Sequence, residues 1–266
     1  MANSSKSREI IYRENLNRCG ARLYETLTIL EEYNRTKNWE DLEKKVIEDN
    51  ILNKKSSNTT KTILRCVKKR FRDVKGLPKF DELSMFVSLD IPDKAKLQVL
   101  LPYIAKTDPL INQYLLNLVG PNIKSKVEIE LSKEMFHDFF EKESQSNFEL
   151  TKWSENSEVR WIRSLLSLLR KFDLMNSAPS LKLKSRPKLR IETFAFYCIF
   201  IIFSGKSGIE IIENDIWDLF FLNNAEIEYY LEDLQRKGWI TYNRSAEMVS
   251  ISAEFKCLGE WMSELE

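Results

Sequence analysis

The segment IETFAFYCIFIIF, residues 191–203, constrains the fold more than any other part of the chain. It is the most hydrophobic run in the sequence, and Glu192 is its one charged residue. A helix that crosses a bilayer needs about 20 apolar residues, so this run is too short to span a membrane. A helix that is apolar on all sides is buried in a protein core. We therefore expect a buried core helix here and no membrane contact.

Residues that favour turns are scarce. The chain has 7 Gly and 7 Pro among 266 residues, whereas Leu, Lys, Glu and Ile are abundant. Sandwiches and barrels need many turns, so a mostly helical, all-α chain is favoured. The N-terminus, MANSSKSREIIYREN, lacks the apolar region of a secretory signal, which predicts a cytoplasmic protein. Four distant cysteines without CxxC spacing indicate neither a zinc site nor a disulfide framework, so we expect reduced, buried thiols: Cys19, Cys66, Cys198 and Cys257.

Three helices are predicted in an N-terminal domain, residues 1–78. Leu23, Leu27 and Leu30 recur at helical spacing, and a second pattern follows Asn38, a plausible N-cap. The third helix is expected to begin at Ser57 or Asn58 and to run to about Val74, before GLP at 76–78 ends it. Three short helices with a short link between the last two are typical of a helix-turn-helix unit.

The third helix has two chemically distinct faces. At 100° per residue, its apolar side chains fall in one arc of about 100° and its cations in the opposite arc. The apolar arc contains Ile63, Leu64, Val67, Phe71 and Val74. The cationic arc contains Lys61, Arg65, Lys68, Lys69 and Arg72. Between Lys54 and Lys75 there are nine basic residues and one acid, although the formal net charge of the whole chain is only +1.

Such a face can be an ordinary solvated surface, but the amino end of this helix favours a nucleic-acid interface. Short hydroxyl and amide side chains lie where a recognition helix enters the major groove, and they can bond to phosphates or base edges. Backbone N–H groups at that end add affinity for anions. The predicted DNA-binding residues are Lys54, Lys55, Ser57, Asn58, Thr60, Lys61, Arg65, Lys68, Lys69 and Arg72.

A helical middle domain is predicted over residues 79–185. Asp81, Asp93 and Asp108 stand where N-caps or first-turn acids belong, and Pro109 suits a first helical position. The segment 153–175 continues the pattern with an apolar stripe that includes Trp161. Acids outnumber lysines between residues 128 and 158, so we expect this zone to repel nucleic acid.

A C-terminal domain, residues 186–266, is predicted to be winged-helix-like. Three helices precede two alternating runs, 240–242 and 248–251, which indicate a β-hairpin. The helix in the recognition position carries four acids, Glu226, Glu228, Glu232 and Asp233, which phosphates would repel. We therefore favour a module for protein contact or packing over a second DNA reader.

Patterns that indicate catalysis are weak. His137 is the one histidine, and without partners at ligand spacing it is expected to be structural. SGKSG at 204–208 resembles the end of a P-loop, but Phe200 stands where the motif needs glycine. The sequence therefore favours a non-enzymatic protein with no metal, cofactor or catalytic residue.

The order of several motifs resembles the BrxA family of BREX phage-defence systems in bacteria and archaea. The resemblance begins with Trp39, EDNIL at 48–52, Lys55, Ser56, Thr59 or Thr60, Arg70 and Phe71. It continues with LPYIAKTDPLINQYLLNLV at 101–119 and WSENSEVRWIRSLLSLLRKFDLM at 153–175. The resemblance implies an all-helical protein without known enzymatic activity, associated with DNA binding, that acts beside a methyltransferase, an ATPase and a phosphatase-like component. It does not reach the C-terminal domain.

The leading hypothesis is therefore a non-enzymatic accessory protein of a BREX-type system that binds double-stranded DNA largely through backbone contacts, with other BREX components as further partners. Two alternatives remain. The basic helix could bind an acidic protein surface, which would make the chain a scaffold, or the protein could regulate transcription of its own operon. A nuclease is a further, less favoured option. Oligomeric state is not indicated by the sequence.

Overall fold

Most of the chain is helical, and a single antiparallel hairpin lies near the C-terminus. The computed structural model describes residues 16, 20–125, 129–184, 188–245 and 248–265. The predicted all-α class with a small C-terminal hairpin is confirmed. Its division into domains 1–78, 79–185 and 186–266 stays a prediction.

The helices of the first half are α1 (Leu23–Thr36), α2 (Trp39–Ile47), α3 (Ser57–Phe71), α4 (Phe80–Ser88), α5 (Asp93–Gln98), α6 (Leu101–Thr107), α7 (Pro109–Tyr114), a π-helical turn (Leu115–Val119) and α8 (Gly120–Lys124). The second half contains α9 (Lys133–Ser146), α10 (Phe148–Thr151), α11 (Glu155–Lys171), α12 (Ile191–Phe203), α13 (Ile209–Ile212), α14 (Ile216–Leu219), α15 (Asn224–Arg236), β1 (Ile240–Ser245), β2 (Met248–Ala253) and α16 (Leu258–Ser263).

Helices α1 to α3 follow the predicted pattern, with a correction at the end of α3. Asn38 caps α2 as expected, since its side chain accepts hydrogen bonds from the backbone N–H of Glu40 at 2.8 Å and of Asp41 at 3.4 Å. The predicted extension of α3 to Val74 was wrong. The helix ends at Phe71 because Asp73 adopts a left-handed φ of 54°, which is incompatible with a continuing α-helix.

Two of the predicted middle helices are interrupted. The apolar pattern of DKAKLQVLLPYIAK at 93–106 predicts one helix, but the segment is divided into α5 and α6. The next predicted helix, DPLINQYLLNLVG at 108–120, is divided by the π-helical turn. Asp108 caps α7 and Pro109 occupies its first position, as predicted. Asp81 and Asp93 lie in the first turns of α4 and α5, where acids complement the helix dipole.

Helix α12 is the buried helix that its sequence predicts. Eight of its thirteen residues are buried, and no helix of the described residues is long and apolar enough to cross a membrane. Two of its polar groups bond to the α5 region, where Thr193 Oγ1 donates to the Ala95 carbonyl at 3.1 Å and Tyr197 Oη donates to the Val99 carbonyl. The centroid of the Phe196 ring lies 4.6 Å from that of the Phe86 ring on α4. Helix α12 therefore joins the middle of the chain to the C-terminal segment.

The C-terminal hairpin packs against α15. Strands β1 and β2 pair in register from Ile240 with Ala253 to Ser245 with Met248. The backbone N–H of Tyr242 donates to the Gln235 side chain on α15 at 2.7 Å. Four helices, α12 to α15, precede the hairpin, one more than predicted, because residues 209–212 form an additional short helix. The name winged-helix-like stays an interpretation.

The cysteine prediction needs correction. Cys66 is disulfide-bonded, so the expectation that the thiols are reduced was wrong for this residue. A bridge between cysteines that lie far apart in the chain leaves no spacing signature in the sequence, so this bond could not be predicted. Cys198 is free and buried as expected, but Cys257 is exposed rather than buried. Cys19 lies outside the described residues.

The buried face of α3 supplies a test of the packing. Phe71 is 1% exposed and its ring lies 5.8 Å from that of Tyr103. We expect Phe71→Ala to lower the free energy of unfolding by about 3–5 kcal/mol, because it removes a buried ring and leaves a cavity. The matched control is Phe148→Ala, since Phe148 is 71% exposed and its loss should change stability by less than about 0.5 kcal/mol. Urea unfolding of both variants measures this difference, and equal effects would contradict the described packing.

Candidate nucleic-acid interface

The orientation of α3 is fixed by its apolar face. Ile63, Leu64, Val67 and Phe71 are all buried, each with at most 3% of its surface exposed. Val74, which was predicted on this face, is half-buried beyond the end of the helix. Tyr103 on α6 supports the packing, because its ring faces Phe71 and its hydroxyl donates to the Pro78 carbonyl at 2.7 Å. The opposite face of α3 is consequently held outward.

Most of the predicted interface residues lie on this outward face. Those that are exposed are Lys55, Ser57, Asn58, Lys61, Arg65, Lys69 and Arg72. Within the described part of the chain, Lys55, Lys61 and Arg65 form no ion pair or side-chain hydrogen bond. Their charges are therefore not neutralised by carboxylates of the described residues, as binding to a polyanion requires.

The turn before α3 is braced by Asn50. Its side chain donates to the Lys54 carbonyl and accepts from the Lys54 N–H, each at 3.0 Å. Ser56 is the N-cap residue, but its side chain makes no capping hydrogen bond, so no side chain of the cap residue covers the first N–H groups of α3. Ser57 and Asn58 are exposed beside these groups. The amino end of α3 thus presents backbone and side-chain donors together with the positive end of the helix dipole.

Three predicted phosphate ligands are already engaged within the protein. Lys54 Nζ lies 3.0 Å from Glu25 Oε1 on α1. Burial opposes ionisation of Glu25, but hydrogen bonds from its own backbone, from Lys54 and from Arg22 outweigh that effect and lower its pKa. Lys54 therefore stabilises a carboxylate of the same chain and is a weaker candidate for binding phosphate.

Trp39 organises the other two engaged cations. Lys68 Nζ lies 4.9 Å and Arg72 Cζ 5.0 Å from the centroid of its ring, which is the geometry of cation–π contacts. Lys68 also forms an ion pair with Glu43, and Arg72 Nε lies 3.2 Å from Asp73 Oδ2. These two cations stay near the outward face, but their positions are set by α2. This role of Trp39 was not predicted from the sequence, although the proximity of α2 and α3 in the chain could have indicated it.

Thr60 does not lie on the outward face. Its side chain is 1% exposed, and its hydroxyl donates to the Ser56 carbonyl at 3.3 Å. The prediction that Thr60 faces a groove is therefore wrong. At 100° per residue Thr60 lies within the apolar arc, between Ile63 and Leu64. A threonine can stay buried there because its hydroxyl bonds to the preceding turn.

A buried pair of opposite charges lies behind the interface. Arg70 is 4% exposed and donates from Nη1 to the Gly20 carbonyl at 2.7 Å, and burial lowers the pKa of its guanidinium. Asp108 is 1% exposed, and its Oδ2 has no hydrogen-bond partner among the described residues. Burial raises the pKa of Asp108 to about 6, an effect that its hydrogen bond from Ile111 and the charges of Arg70 and Lys69 only partly oppose. The sequence indicates that Arg70 lies away from the cationic face, since its helical angle places it opposite Lys61.

Among the described residues, no metal-binding group accompanies this face of α3. In the described ranges there is no group of three or more His, Cys, Asp or Glu side chains that could hold a metal ion. His137 is exposed on α9, and its Nδ1 lies 3.6 Å from Glu158 Oε1. The outward face of α3 can thus supply positive charge and hydrogen-bond donors, which are the groups that bind a phosphate backbone.

Fold and site together define a mostly helical protein whose amino-terminal three-helix unit presents a basic helix to solvent. A sequence model of the BrxA family matches residues 10–197, so the chain belongs to the BrxA family. This membership associates it with BREX phage-defence systems. Among curated proteins, no sequence matches the chain.

One similar solved structure is the crystal structure of an uncharacterized protein from Magnetospirillum magneticum. The similarity covers 79% of this chain and 96% of that chain, with a TM-score of 0.59 and 12% sequence identity. At this level of identity the likeness shows a shared fold. The matched share of the chain shows that the fold extends beyond the amino-terminal unit.

The buried carboxyl of Asp108 gives a pH-dependent prediction. Its pKa is raised in the folded state, so the folded protein binds this proton more tightly than the unfolded chain does. The contribution of Asp108 to the free energy of unfolding should therefore fall as pH rises from about 4 to about 6, by about 3 kcal/mol in total, and stay constant above that range.

Asp108→Asn isolates this contribution, because an asparagine keeps an oxygen for the N-cap bond but does not titrate. We expect the wild type to lose stability relative to this variant as pH rises from 4 to 6. The measurement is urea unfolding of both proteins at intervals of half a pH unit. A difference between the two that does not vary with pH would show that the pKa of Asp108 is not raised.

Proposed function

We propose that this BrxA-family chain is a non-enzymatic, DNA-binding accessory protein of a BREX-type defence system. The observation that carries the proposal is the set of exposed cations without acidic partners in the described residues, Lys55, Lys61 and Arg65, on a helix whose other face is buried. Lys69 is also exposed on this face. A near-neutral protein can bind a polyanion through such a local surface, because screening limits the effect of distant charges to about 10 Å.

The expected binding mode is that of a helix-turn-helix protein. The amino end of α3, with Ser57 and Asn58, would face the major groove, and the cations would contact phosphates on either side. Helix α3 has fifteen residues, which corresponds to a length of about 22 Å. Phosphate contacts carry no sequence information directly, so we expect binding that tolerates many sequences.

A scaffold is the second candidate, and it is supported by the charge of the C-terminal segment. Helix α15 presents Glu232 and Tyr229 to solvent, and Tyr229 is 59% exposed. Of its other acids, Glu228 pairs with Arg244 and Asp233 pairs with Arg236. Phosphates would be repelled by this surface, whereas an exposed tyrosine beside acids suits a protein contact. We propose that the C-terminal module contacts another defence component while α3 contacts DNA.

Substitution of Lys61 and Arg65 tests DNA binding. We expect Lys61→Gln combined with Arg65→Gln to weaken binding to a duplex of about 30 base pairs by about tenfold or more, because two phosphate contacts are lost. The slope of log K against log salt should become less steep by about two units. Fluorescence anisotropy across a salt series measures both quantities. Lys68 is a poorer choice for this test, because Glu43 and Trp39 hold it.

The matched control is Lys133→Gln combined with Lys142→Gln on α9, which removes the same charge from another exposed helix. This control should bind like the wild type. If the α3 variant keeps the affinity and salt slope of the wild type, this face does not bind DNA, and the scaffold is favoured. A preference for one promoter over random DNA of about a thousandfold would instead favour a transcription regulator. Metal-dependent cleavage of the duplex would contradict a non-enzymatic role.

A further inference from the structure

Helix α11 carries a second cationic face. At 100° per residue, one side of this helix contains only polar and basic residues and no acid. Its members are Asn156, Arg160, Arg163, Ser164, Ser167 and Lys171. The two acids of the helix, Glu155 and Glu158, lie on another side. This face therefore differs from the acidic zone that precedes it in the sequence.

The two arginines of this face are available to a ligand. Arg160 and Arg163 are exposed, and within the described part of the chain neither forms an ion pair or a hydrogen bond. Arg170, which lies at the edge of the face, is used differently, since it donates to the carbonyls of Asn176 at 3.4 Å and Ser180 at 3.1 Å. One arginine of this helix thus braces a loop, and two are exposed without a partner among the described residues.

The α11 face is linked to the amino end of α3 by contacts of two neighbouring residues on α1, Tyr24 and Glu25. Lys171 Nζ lies 5.6 Å from the centroid of the Tyr24 ring, and Tyr24 is 59% exposed on α1. Glu25, the next residue, has its Oε1 3.0 Å from Lys54 Nζ. Lys54 lies in the turn that precedes α3. A path of contacts therefore joins the carboxyl end of α11 to the amino end of α3.

We propose that the α11 face is a second phosphate-binding surface that contacts the same DNA duplex as α3. The inference rests on the proposed function, because it extends the interface of α3. Arg160 and Lys171 are about 17 Å apart along the helix, which corresponds to about five phosphate intervals of one DNA strand. Arginine forms paired hydrogen bonds with phosphate oxygens, and the Tyr24 hydroxyl can donate to a phosphate between the two surfaces.

The charge of the α11 face and its link to α3 both indicate that DNA is its ligand. A face with exposed arginines, serines and no acid is complementary to a phosphate backbone, and it adjoins the surface for which the same ligand is proposed. An acidic protein would satisfy the charges as well, but it would have to compete with DNA at the Tyr24 junction. One duplex that lies across both faces satisfies both sets of cations at once.

Arg160→Gln combined with Arg163→Gln tests this surface. On a duplex of about 30 base pairs we expect binding about tenfold weaker, and a log–log salt slope less steep by about two units, because two phosphate contacts are lost. When this pair is combined with Lys61→Gln and Arg65→Gln, the slope should decrease by about four units in all. Anisotropy titrations across a salt series measure these values, and circular dichroism melting confirms that each variant folds.

The outcomes separate this inference from the proposed function. If the α11 variant binds like the wild type while the α3 variant is weakened, the second surface is overturned and the proposed function stands. If the wild type does not bind the duplex at all, both are overturned. If the α11 variant keeps full DNA affinity but loses binding to an acidic protein partner, the surface belongs to that partner and the DNA assignment is wrong. The α9 variant with Lys133→Gln and Lys142→Gln should resemble the wild type in every titration.

Discussion

The interface depends on the docking of one face of α3 into the hydrophobic core. Burial of Ile63, Leu64, Val67 and Phe71 fixes the rotation of the helix about its axis, because turning it would expose these side chains to water. The same rotation decides which cations face solvent, since side chains on a helix recur every 3.6 residues. The core therefore orients the charged face without contacting it. Arg70 shows the cost of this arrangement, because it lies on the buried side and its guanidinium loses most of its hydration.

Charge pairing within the chain divides the basic segment into two groups. Lys54, Lys68 and Arg72 are held by acids or by the Trp39 ring, so they stabilise the three-helix unit. Lys55, Lys61 and Arg65 have no such partners among the described residues and keep their full attraction for a polyanion. This division explains how a segment with a large local excess of positive charge folds beside other helices. Part of the charge neutralises its neighbours, and Lys55, Lys61 and Arg65 are exposed without an ion pair among the described residues.

The sequence predicted the features that depend on local periodicity. The buried face of α3, the cap at Asn38, the burial of 191–203 and the hairpin near the C-terminus all follow from residues close together in the chain. It did not predict which cations are paired, because their partners lie far away in the sequence, as Glu25 does from Lys54 and Glu43 from Lys68. It also missed the end of α3 at Phe71, which depends on the turn after the helix and not on periodicity. The burial of Thr60 agrees with periodicity, because Thr60 lies in the apolar arc, but its polar side chain favoured a groove-facing prediction.

The distribution of charge along the fold has a consequence for how the molecule would meet DNA under the proposed function. Basic residues are concentrated on α3 and on one face of α11, whereas the acids of α15 lie in the C-terminal segment. A duplex would be attracted to the first region and repelled by the second, so the electrostatic field favours one orientation during approach. The acids of the C-terminal segment would thus be kept away from the phosphates. Its exposed Tyr229 would then remain accessible to a protein partner while DNA is bound, and the two candidate roles of the chain would be compatible in a single complex.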